Sequence, residues 1–508
     1  MNRIYKILLS LFLVALSGMA MGQQDKPLRV EFECDPGVEP YVAVPCGIYG
    51  VLAIYPTMEE ADNALIWEFL LMDVNFKPVW RRNFNIGEEL KFRHDAQNEN
   101  ILYLAFSKSG KIKDEINLQV LRIDLTTADI KEMKTTIAGR PQKSAMEISR
   151  NIVVIGVERS KGNANLLYLD FNTMVQSQLP FELSKDHKLL SIDYDHDNNR
   201  FCFISSFEPH QQTQSVDYFF WEPLSTTFIA ESISGFKDRQ VVNSARLISQ
   251  GDSLALIIGG YNDTYNSVRN YADEYGTPYS GLFSYHILND SLKILPLNEF
   301  DDIYSIISAN DISTTRKQRK KDKTPDIKLY LSFHEPEIHN NEIILLTESY
   351  YPQFHTVSTM AYDYYGRPLT TYYDVFDGFR YSKAIVCSFD RDGNIVWTNH
   401  MDIRDVIVDR NKNISALVKD DKYYLLAYAG IGKVASQVIN KDEIIDDITV
   451  AGVDFLYSRD RLMDTGTSTI THWYGQYFLV SGYQTIRNSR VTKSGKRTVF
   501  YMNKMAYR

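Results

Sequence analysis

The sequence is poor in glycine, proline and cysteine. It contains 26 glycines, 16 prolines and 4 cysteines among 508 residues. So little glycine and proline excludes collagen-like and low-complexity chains. The hydrophobic share of 44% is that of a globular protein with a large core rather than of a disordered chain.

Sequence motifs of catalysis and metal binding are also missing. The chain has no metalloprotease His-Glu-x-x-His, no Gly-x-Ser-x-Gly elbow and no phosphate-binding glycine loop. Its 10 histidines are scattered, without zinc-site spacing to cysteine. Asp193 to Asn198 resembles the start of a calcium loop, but Ile204 stands where the twelfth-position glutamate is needed. The sequence therefore predicts no catalytic residue, no metal site and no cofactor.

An excess of basic charge is absent, with one local exception. Lys and Arg total 55 against 64 Asp and Glu, a net charge of −9, which argues against general nucleic-acid binding. The exception is a run of six basic residues in eight, a candidate contact for an acidic partner or anionic lipid headgroups, or alternatively a solvated loop. The run comprises Arg316, Lys317, Arg319, Lys320, Lys321 and Lys323.

The first 22 residues have the pattern of a signal peptide. Arg3 and Lys6 precede a ten-residue apolar core at 7–16, and Ala20-Met21-Gly22 supplies the small residues of a cleavage site. No later run approaches the 18 apolar residues of a membrane span. We expect an exported chain of residues 23–508 with a net charge of −11, periplasmic, outer-membrane-associated or extracellular.

Export makes a disulfide between Cys34 and Cys46 possible. These cysteines flank Asp35-Pro36-Gly37 in what the pattern predicts to be two short strands and a turn. The alternative is that they stay unpaired. Cys202 and Cys387 lie in apolar strand patterns, where buried small hydrophobic residues are expected.

A repeat of about 50 residues organises the chain. Apolar runs, each preceded by a polar turn, begin at positions spaced first by 50, 51, 49 and 53 residues and then by 89, 80 and 54. Each run is followed in most repeats by a hairpin such as Ala384 to Trp397 across an Asp-Gly turn. The runs begin near Gly50, Asn100, Asn151, Arg200, Ser253, Glu342, Lys422 and Gln476.

This layout resembles the β-propeller class, in which four-stranded antiparallel blades repeat radially. The resemblance covers nearly the whole mature chain and implies an all-β fold of eight blades, with seven as the alternative. The last repeat lacks a final strand, and residues 28–32 are expected to supply it and close the ring. Only residues 433–449 have a pattern compatible with a helix.

Three long insertions interrupt the repeat, at about 261–280, 311–326 and 351–383. The first and third are rich in tyrosine, and both connect the second and third strands of neighbouring blades, so we expect them on one face. Tyrosine suits protein contacts and sugar stacking, although each insertion could instead bury its own aromatics. The candidate binding residues are Tyr265, Tyr271, Tyr275, Tyr279, Tyr350, Tyr351, Tyr364, Tyr365, Tyr372 and Tyr373.

Two short motifs point to a bacterial envelope. The Asp-Ser-Leu sequences at Ser253 and Ser291 resemble the Asp-(Ser/Thr)-apolar acceptor of Bacteroidota O-glycosylation, and the chain resembles exported propeller proteins of that phylum. We therefore expect a non-enzymatic binding or scaffold subunit whose partner is another envelope protein or a surface glycan. The alternative is a glycan-binding or glycan-hydrolysing propeller.

Overall fold

The structure, a computed structural model, describes residues 28–506 with gaps. The residues outside the description are 36–40, 62–63, 88, 109–114, 139, 159–163, 210–212, 214, 238–239, 252–253, 264–275, 277, 301–326, 363–364, 408–414, 420–421, 431 and 492–494. The described part is nearly all β, with three short 3-10 turns at Gly47–Tyr49, Ile287–Asn289 and Leu297–Glu299. Within it, no helix is long and apolar enough to cross a membrane.

The strands of the first half form four sheets in chain order. Strand β1 (Arg29–Glu33) stands apart from them. Sheet 1 contains β2 (Val42–Pro45), β3 (Val51–Ala61), β4 (Ala64–Met72) and β5 (Pro78–Gly87). Sheet 2 contains β6 (Leu90–Asn98), β7 (Ile101–Lys108), β8 (Glu115–Asp124) and β9 (Ile130–Ala138). Sheet 3 contains β10 (Arg140–Ser149), β11 (Ile152–Glu158), β12 (Ala164–Asp170) and β13 (Val175–Gln178). Sheet 4 contains β14 (His187–Asp195), β15 (Arg200–Phe207), β16 (Ser215–Trp221) and β17 (Ile229–Ile233).

The second half continues this order, with one exchange between sheets. Sheet 5 contains β18 (Val241–Gln250), β19 (Leu254–Asn262), β21 (Gly281–His286) and β22 (Ser291–Pro296), whereas β20 (Pro278–Tyr279) joins sheet 6. Sheet 6 also contains β23 (Leu329–Phe333), β24 (Glu337–His339), β25 (Glu342–Tyr362), β26 (Pro368–Phe389) and β27 (Ile395–Ile407). Sheet 7 contains β28 (Ser415–Lys419), β29 (Tyr424–Gly430), β30 (Lys433–Asn440) and β31 (Glu443–Gly452). Sheet 8 contains β32 (Arg461–Tyr474), β33 (Tyr477–Arg487), β34 (Lys496–Ala506) and β1.

The hydrophobic core is divided among the spaces between consecutive sheets. Seven buried clusters join sheets 1 and 2, 2 and 3, 3 and 4, 4 and 5, 5 and 6, 6 and 7, and 7 and 8. An eighth cluster joins sheet 8 to sheet 1, with Trp473 and Phe500 against Val51 and Met72. First strands of neighbouring sheets adjoin, as β6 does β10 and β14 does β18. This is the radial packing of a β-propeller.

The two faces of the molecule have different connections. Turns between first and second strands and between third and fourth strands are short, and they hold all eleven non-glycine residues with positive φ in the described chain, at φ 47–66°. We call this side the tight-turn face. Connections between second and third strands, and from one sheet to the next, lie on the opposite side, the loop face. The long β25–β26 hairpin ends on the loop face.

The predicted Cys34–Cys46 hairpin is wrong, because the two cysteines belong to different sheets. Cys34 follows β1 at the outer edge of sheet 8, where it lines an open depression of about 510 Å³. Cys46 follows β2 on the first strand of sheet 1 and is buried in the cluster between sheets 1 and 2. Both are free, and so are Cys202 and Cys387, which are buried as expected.

Residues 433–449 are also not helical. They form β30 and β31, joined by a turn in which Lys441 has a φ of 55°. The left-handed conformation of Lys441 lets the chain reverse direction over two residues, so β31 pairs with β30. The other edge of β30 pairs with β29.

Candidate functional site

The predicted insertion at 351–383 is a pair of strands rather than a loop. β25 pairs with β26 along its whole length, from Ile343–Phe389 to Tyr362–Pro368. Within the described residues, β23 pairs with β25 no further than Tyr350, and β27 pairs with β26 no further than Phe379. Residues 352–378 therefore continue beyond sheet 6 as a two-stranded hairpin, which we call the ribbon.

The base of the ribbon is anchored in the core. Tyr381 is buried between sheets 6 and 7, and Tyr350 lies beside it with ring centroids 5.6 Å apart. Phe379 and Phe376 continue the aromatic contact, at a centroid separation of 5.1 Å. These ring contacts fix the direction in which the ribbon extends from sheet 6.

Beyond the base, the aromatic side chains are exposed. The exposed fractions are 42% for Tyr351, 79% for Tyr365, 69% for Tyr372 and 48% for Tyr373. These four candidate residues therefore share one projecting element.

The other predicted aromatic residues do not join them. The prediction is wrong for Tyr279 and Tyr350, which are buried. Tyr279 lies in β20, which pairs with β23 and so joins the C-terminal end of the first insertion to sheet 6. Tyr265, Tyr271, Tyr275 and Tyr364 lie outside the described residues, as do the six basic residues of 316–323 and Ser253.

Ser291 is described and lies at the start of β22, on the tight-turn face. The preceding Asp290 has a φ of 47° and accepts a hydrogen bond of 2.8 Å from the Tyr285 hydroxyl. A local turn thus accounts for this Asp-Ser pair, as expected where Asp bonds its own neighbourhood. Ser291 as a glycosylation site stays a prediction.

A second candidate site, which the sequence patterns did not predict, lies on the first strands of sheets 2–5 and on the link between β23 and β24 in sheet 6. Arg246 donates to Asp193 at 2.8 Å and lies 3.9 Å from Glu335. Glu335 also acts electrostatically on Asp95 and Glu147. We call Asp95, Glu147, Asp193, Arg246 and Glu335 the axial cluster.

The carboxylates of the axial cluster differ in their surroundings. Asp193 is fully hydrogen-bonded, because it also accepts from the Ser191 hydroxyl at 2.6 Å and the Leu247 amide at 3.0 Å. Burial, reinforced by Glu335 and Asp193, raises the pKa of Glu147 to about 7. Burial and Glu335 raise the pKa of Asp95 to about 6. The cluster thus combines the hydrogen-bonded Asp193–Arg246 pair with two carboxyl groups of raised pKa, Glu147 and Asp95, and such perturbed groups are candidates for a functional site.

A histidine adjoins the axial cluster. His94 lies 2.7 Å from the Ser144 hydroxyl, and burial, with Arg93 and Arg246, lowers the pKa of its imidazole to about 4. The neighbouring cavity between sheets 2 and 3 measures about 10 Å³, room for at most one water. Among the described residues, no three His, Cys, Asp or Glu side chains are placed to hold a metal ion.

The sequence does carry a signal for the axial cluster. Each member stands four to seven residues before an apolar run of the repeat: Asp95 before Asn100, Glu147 before Asn151, Asp193 before Arg200, Arg246 before Ser253 and Glu335 before Glu342. In a radial repeat, equivalent positions on first strands approach one another. A charged residue at that repeat position is thus the pattern to search for.

Glu147→Gln is expected to change the pH dependence of stability. Because the folded pKa of about 7 exceeds the unfolded value of about 4.3, the folded chain holds the proton more tightly, and ionisation costs stability as pH rises between these values. Glutamine does not ionise. The free energy of unfolding of Glu147→Gln, relative to that of the wild type, should therefore increase by about 1–3 kcal/mol as the pH rises from about 5 to about 7.5.

Denaturant unfolding at several pH values measures this gain. The difference in free energy of unfolding between variant and wild type removes the contribution of His94, which both proteins share. The lowered pKa of His94 makes stability fall as the pH drops below about 6.5, which is the opposite trend. The exposed Glu222→Gln is the matched control and should leave the difference flat. A flat difference for Glu147→Gln as well would refute the raised pKa.

Comparison with known proteins gives structural similarity without sequence similarity. No family model matches the chain, and no curated protein matches its sequence. The WD40 domain of SCAP from fission yeast has a TM-score of 0.42 and 9% identity, covering 94% of this chain and 97% of that domain. The β-propeller domain of the Trilobed protease from Pyrococcus furiosus has a TM-score of 0.35 and 8% identity, covering 83% and 96%. The polysaccharide lyase Uly1 has a TM-score of 0.40 and 8% identity, covering 92% and 99%.

Proposed function

We propose that the chain is an eight-bladed β-propeller closed by its N-terminal strand, acting as a binding or scaffold subunit. Three contacts between the ends of the chain support closure. β1 pairs with β34 from Arg29–Asn503 to Glu33–Val499, the Trp473 indole donates to the Gly50 carbonyl at 2.8 Å, and the Tyr483 hydroxyl accepts from the Tyr41 amide at 2.7 Å. Closure leaves no sheet-to-sheet gap open.

The exposed ribbon is the observation that supports a binding role. Isolated two-stranded hairpins are at best marginally stable in water, so an exposed one with aromatic side chains gains from a covering partner. Tyrosine provides large, stiff contact area with a polar tip. The partner is another envelope protein or a surface glycan. The signal-peptide pattern supports export to the periplasm, the outer membrane or the cell surface.

Replacing Tyr365, Tyr372 and Tyr373 with alanine together is expected to weaken partner binding at least about 30-fold, because truncating even one aromatic hot spot costs about 2 kcal/mol or more. The measurement is quantitative capture from an envelope extract by the immobilised mature chain. The matched control replaces three exposed apolar residues of the tight-turn face, Met174, Leu224 and Leu288. Equal capture by both variants, with unchanged thermal midpoints, would remove the ribbon from the proposed function.

The alternative function is action on a glycan at the axial cluster. It is favoured by one observation, Glu147 with its raised pKa in the same cluster as the Asp193–Arg246 pair, because glycoside hydrolysis uses two carboxyl groups together. A glycan-release assay on the purified mature chain distinguishes this function from binding alone.

A further inference from the structure

The ribbon has an incomplete sheet edge on both sides. In the described residues, the outer edge of β25 beyond Tyr350 and that of β26 before Phe379 have no paired strand. Eleven residues of β25, 352–362, project about 35 Å at about 3.3 Å per residue. Unpaired N–H and C=O groups along such an edge are a template for another strand.

The two edges differ in charge. β26 carries Asp374 and Asp377, and Asp377 contacts His355 while Asp374 accepts a hydrogen bond of 2.8 Å from Thr356. β25 carries neither acidic nor basic side chains between Tyr351 and Ala361 apart from His355. Proteins usually protect sheet edges with lysine, proline or bulges. Here Pro352 and the bulge at Gln353/Phe354 interrupt only the base, and in the described part of the chain no lysine, proline or paired strand protects the outer part of the β25 edge.

That edge is complementary to itself. In an antiparallel pair about a two-fold axis at Val357, Phe354 faces Met360 and His355 faces Thr359 of the second copy, so no like charges meet. The net charge of −9 makes contact between most other surfaces of two copies repulsive, which favours this neutral edge. Two-fold pairing also satisfies the β25 edges of both copies at once.

The ribbon as a whole exposes almost as much apolar surface as one side of a stable interface. Six ribbon side chains are 43–79% exposed, of which the first two lie on β25: Phe354, Met360, Tyr365, Leu369, Tyr372 and Tyr373. At about 200 Å² for a fully exposed side chain of this size they present up to about 700 Å². One side of a standard protein interface buries about 800 Å².

We propose that the ribbon binds a second copy of this chain, with β25 of each copy adding to β25 of the other to form a four-stranded intermolecular sheet. This inference rests on the proposed function, since it uses the ribbon as the contact surface and makes the scaffold a homodimer. The dimer is two-fold symmetric and closed, so assembly stops at two copies.

Charge placed on the β25 edge tests the dimer. Ser358→Lys and Ser358→Glu should each weaken dimerisation about tenfold or more, because like charges then lie across the two-fold axis. A 1:1 mixture of the two variants should recover the dimer. Thr371→Lys, an exposed ribbon position on β26 opposite Thr359, adds the same charge to the other strand and should leave the dimer intact. Sedimentation equilibrium across a concentration series gives the mass, and thermal midpoints confirm folding.

Two outcomes overturn the inference: a wild type that is monomeric throughout the series, or Ser358→Lys and Thr371→Lys that behave alike. Neither outcome by itself contradicts the proposed function. A monomeric chain whose capture of envelope partners still depends on Tyr365, Tyr372 and Tyr373 keeps the ribbon as a binding surface for another molecule. Loss of both results removes the proposed function together with the inference.

Discussion

Replacing Arg497 with alanine is expected to lower the free energy of unfolding by about 3–5 kcal/mol. Arg497 donates to Asp460 at 2.8 and 3.0 Å and to Glu31 at 2.7 Å, and the exposed fractions of the three side chains are 0–4%. Burial acts to raise the pKa of Asp460, but hydrogen bonds from Arg497 and Asn488 outweigh burial and lower the pKa. Without the guanidinium, the buried Asp460 carboxylate loses its countercharge and Glu31 keeps only that of Arg29.

The same network holds β1 in sheet 8. Arg29 donates to Glu31 at 2.6 Å and to Gln484 and Asn503 at 2.8 and 3.0 Å, so Glu31 lies between two arginines. Arg487→Ala is the matched control, because it removes an exposed arginine from the same sheet and should cost at most about 0.5 kcal/mol. Chemical denaturation measures both. Equal stability of the two variants would show that the buried network does not hold β1.

Gly50→Ala is expected to destabilise the fold by about 3 kcal/mol or more. Gly50 has φ 114° and ψ −141°, a conformation that residues with a side chain scarcely adopt. A Cβ there would lie 1.8 Å from the Met72 carbonyl oxygen, a backbone atom of the adjoining strand. Relief requires movement of the loop that accepts the Trp473 indole hydrogen bond.

Gly47→Ala is the matched control for Gly50. Its φ is 57°, and nothing lies within 4 Å of an added Cβ, so only the left-handed backbone cost of about 1–2 kcal/mol remains. Thermal unfolding of both variants should rank Gly50→Ala well below Gly47→Ala. The opposite ranking would contradict the close approach of Gly50 to Met72.

The repeat pattern predicted much of the fold because one physical rule generates it. Every apolar run near Gly50, Asn100 and Asn151 became a second strand with buried side chains on both faces, as in sheets covered on both sides. The assignment of residues 28–32 to the last sheet also agrees with the pairing of β1 and β34. Spacing therefore identified the units and the strand that completes the last one.

Pairing partners at the margins of the repeat were less predictable. Cys34 and Cys46 are twelve positions apart, yet they face different sheets, because β1 pairs with a strand over 460 residues away rather than with its neighbour β2. Tyr279 was expected on the surface, but β20 pairs with β23 across two sheets. Residues 352–378 form a ribbon rather than a loop because β25 and β26 stay paired over that length. Composition does not reveal the register of this pairing.

The pairing of β1 with β34 also sets the order in which the chain can fold. β1 is synthesised first but pairs with β34, as Arg29 does with Asn503. It is therefore among the last strands that can pair. Joining ends separated by 474 residues adds about 5 kcal/mol of loop-closure entropy if it precedes other contacts, and far less once the intervening sheets have packed. Until then β1 has both edges unpaired, and we expect its alternating charges, Arg29, Glu31 and Glu33, to oppose pairing with other strands. Because this pairing joins residues far apart in the sequence, we expect it to slow the folding of the chain.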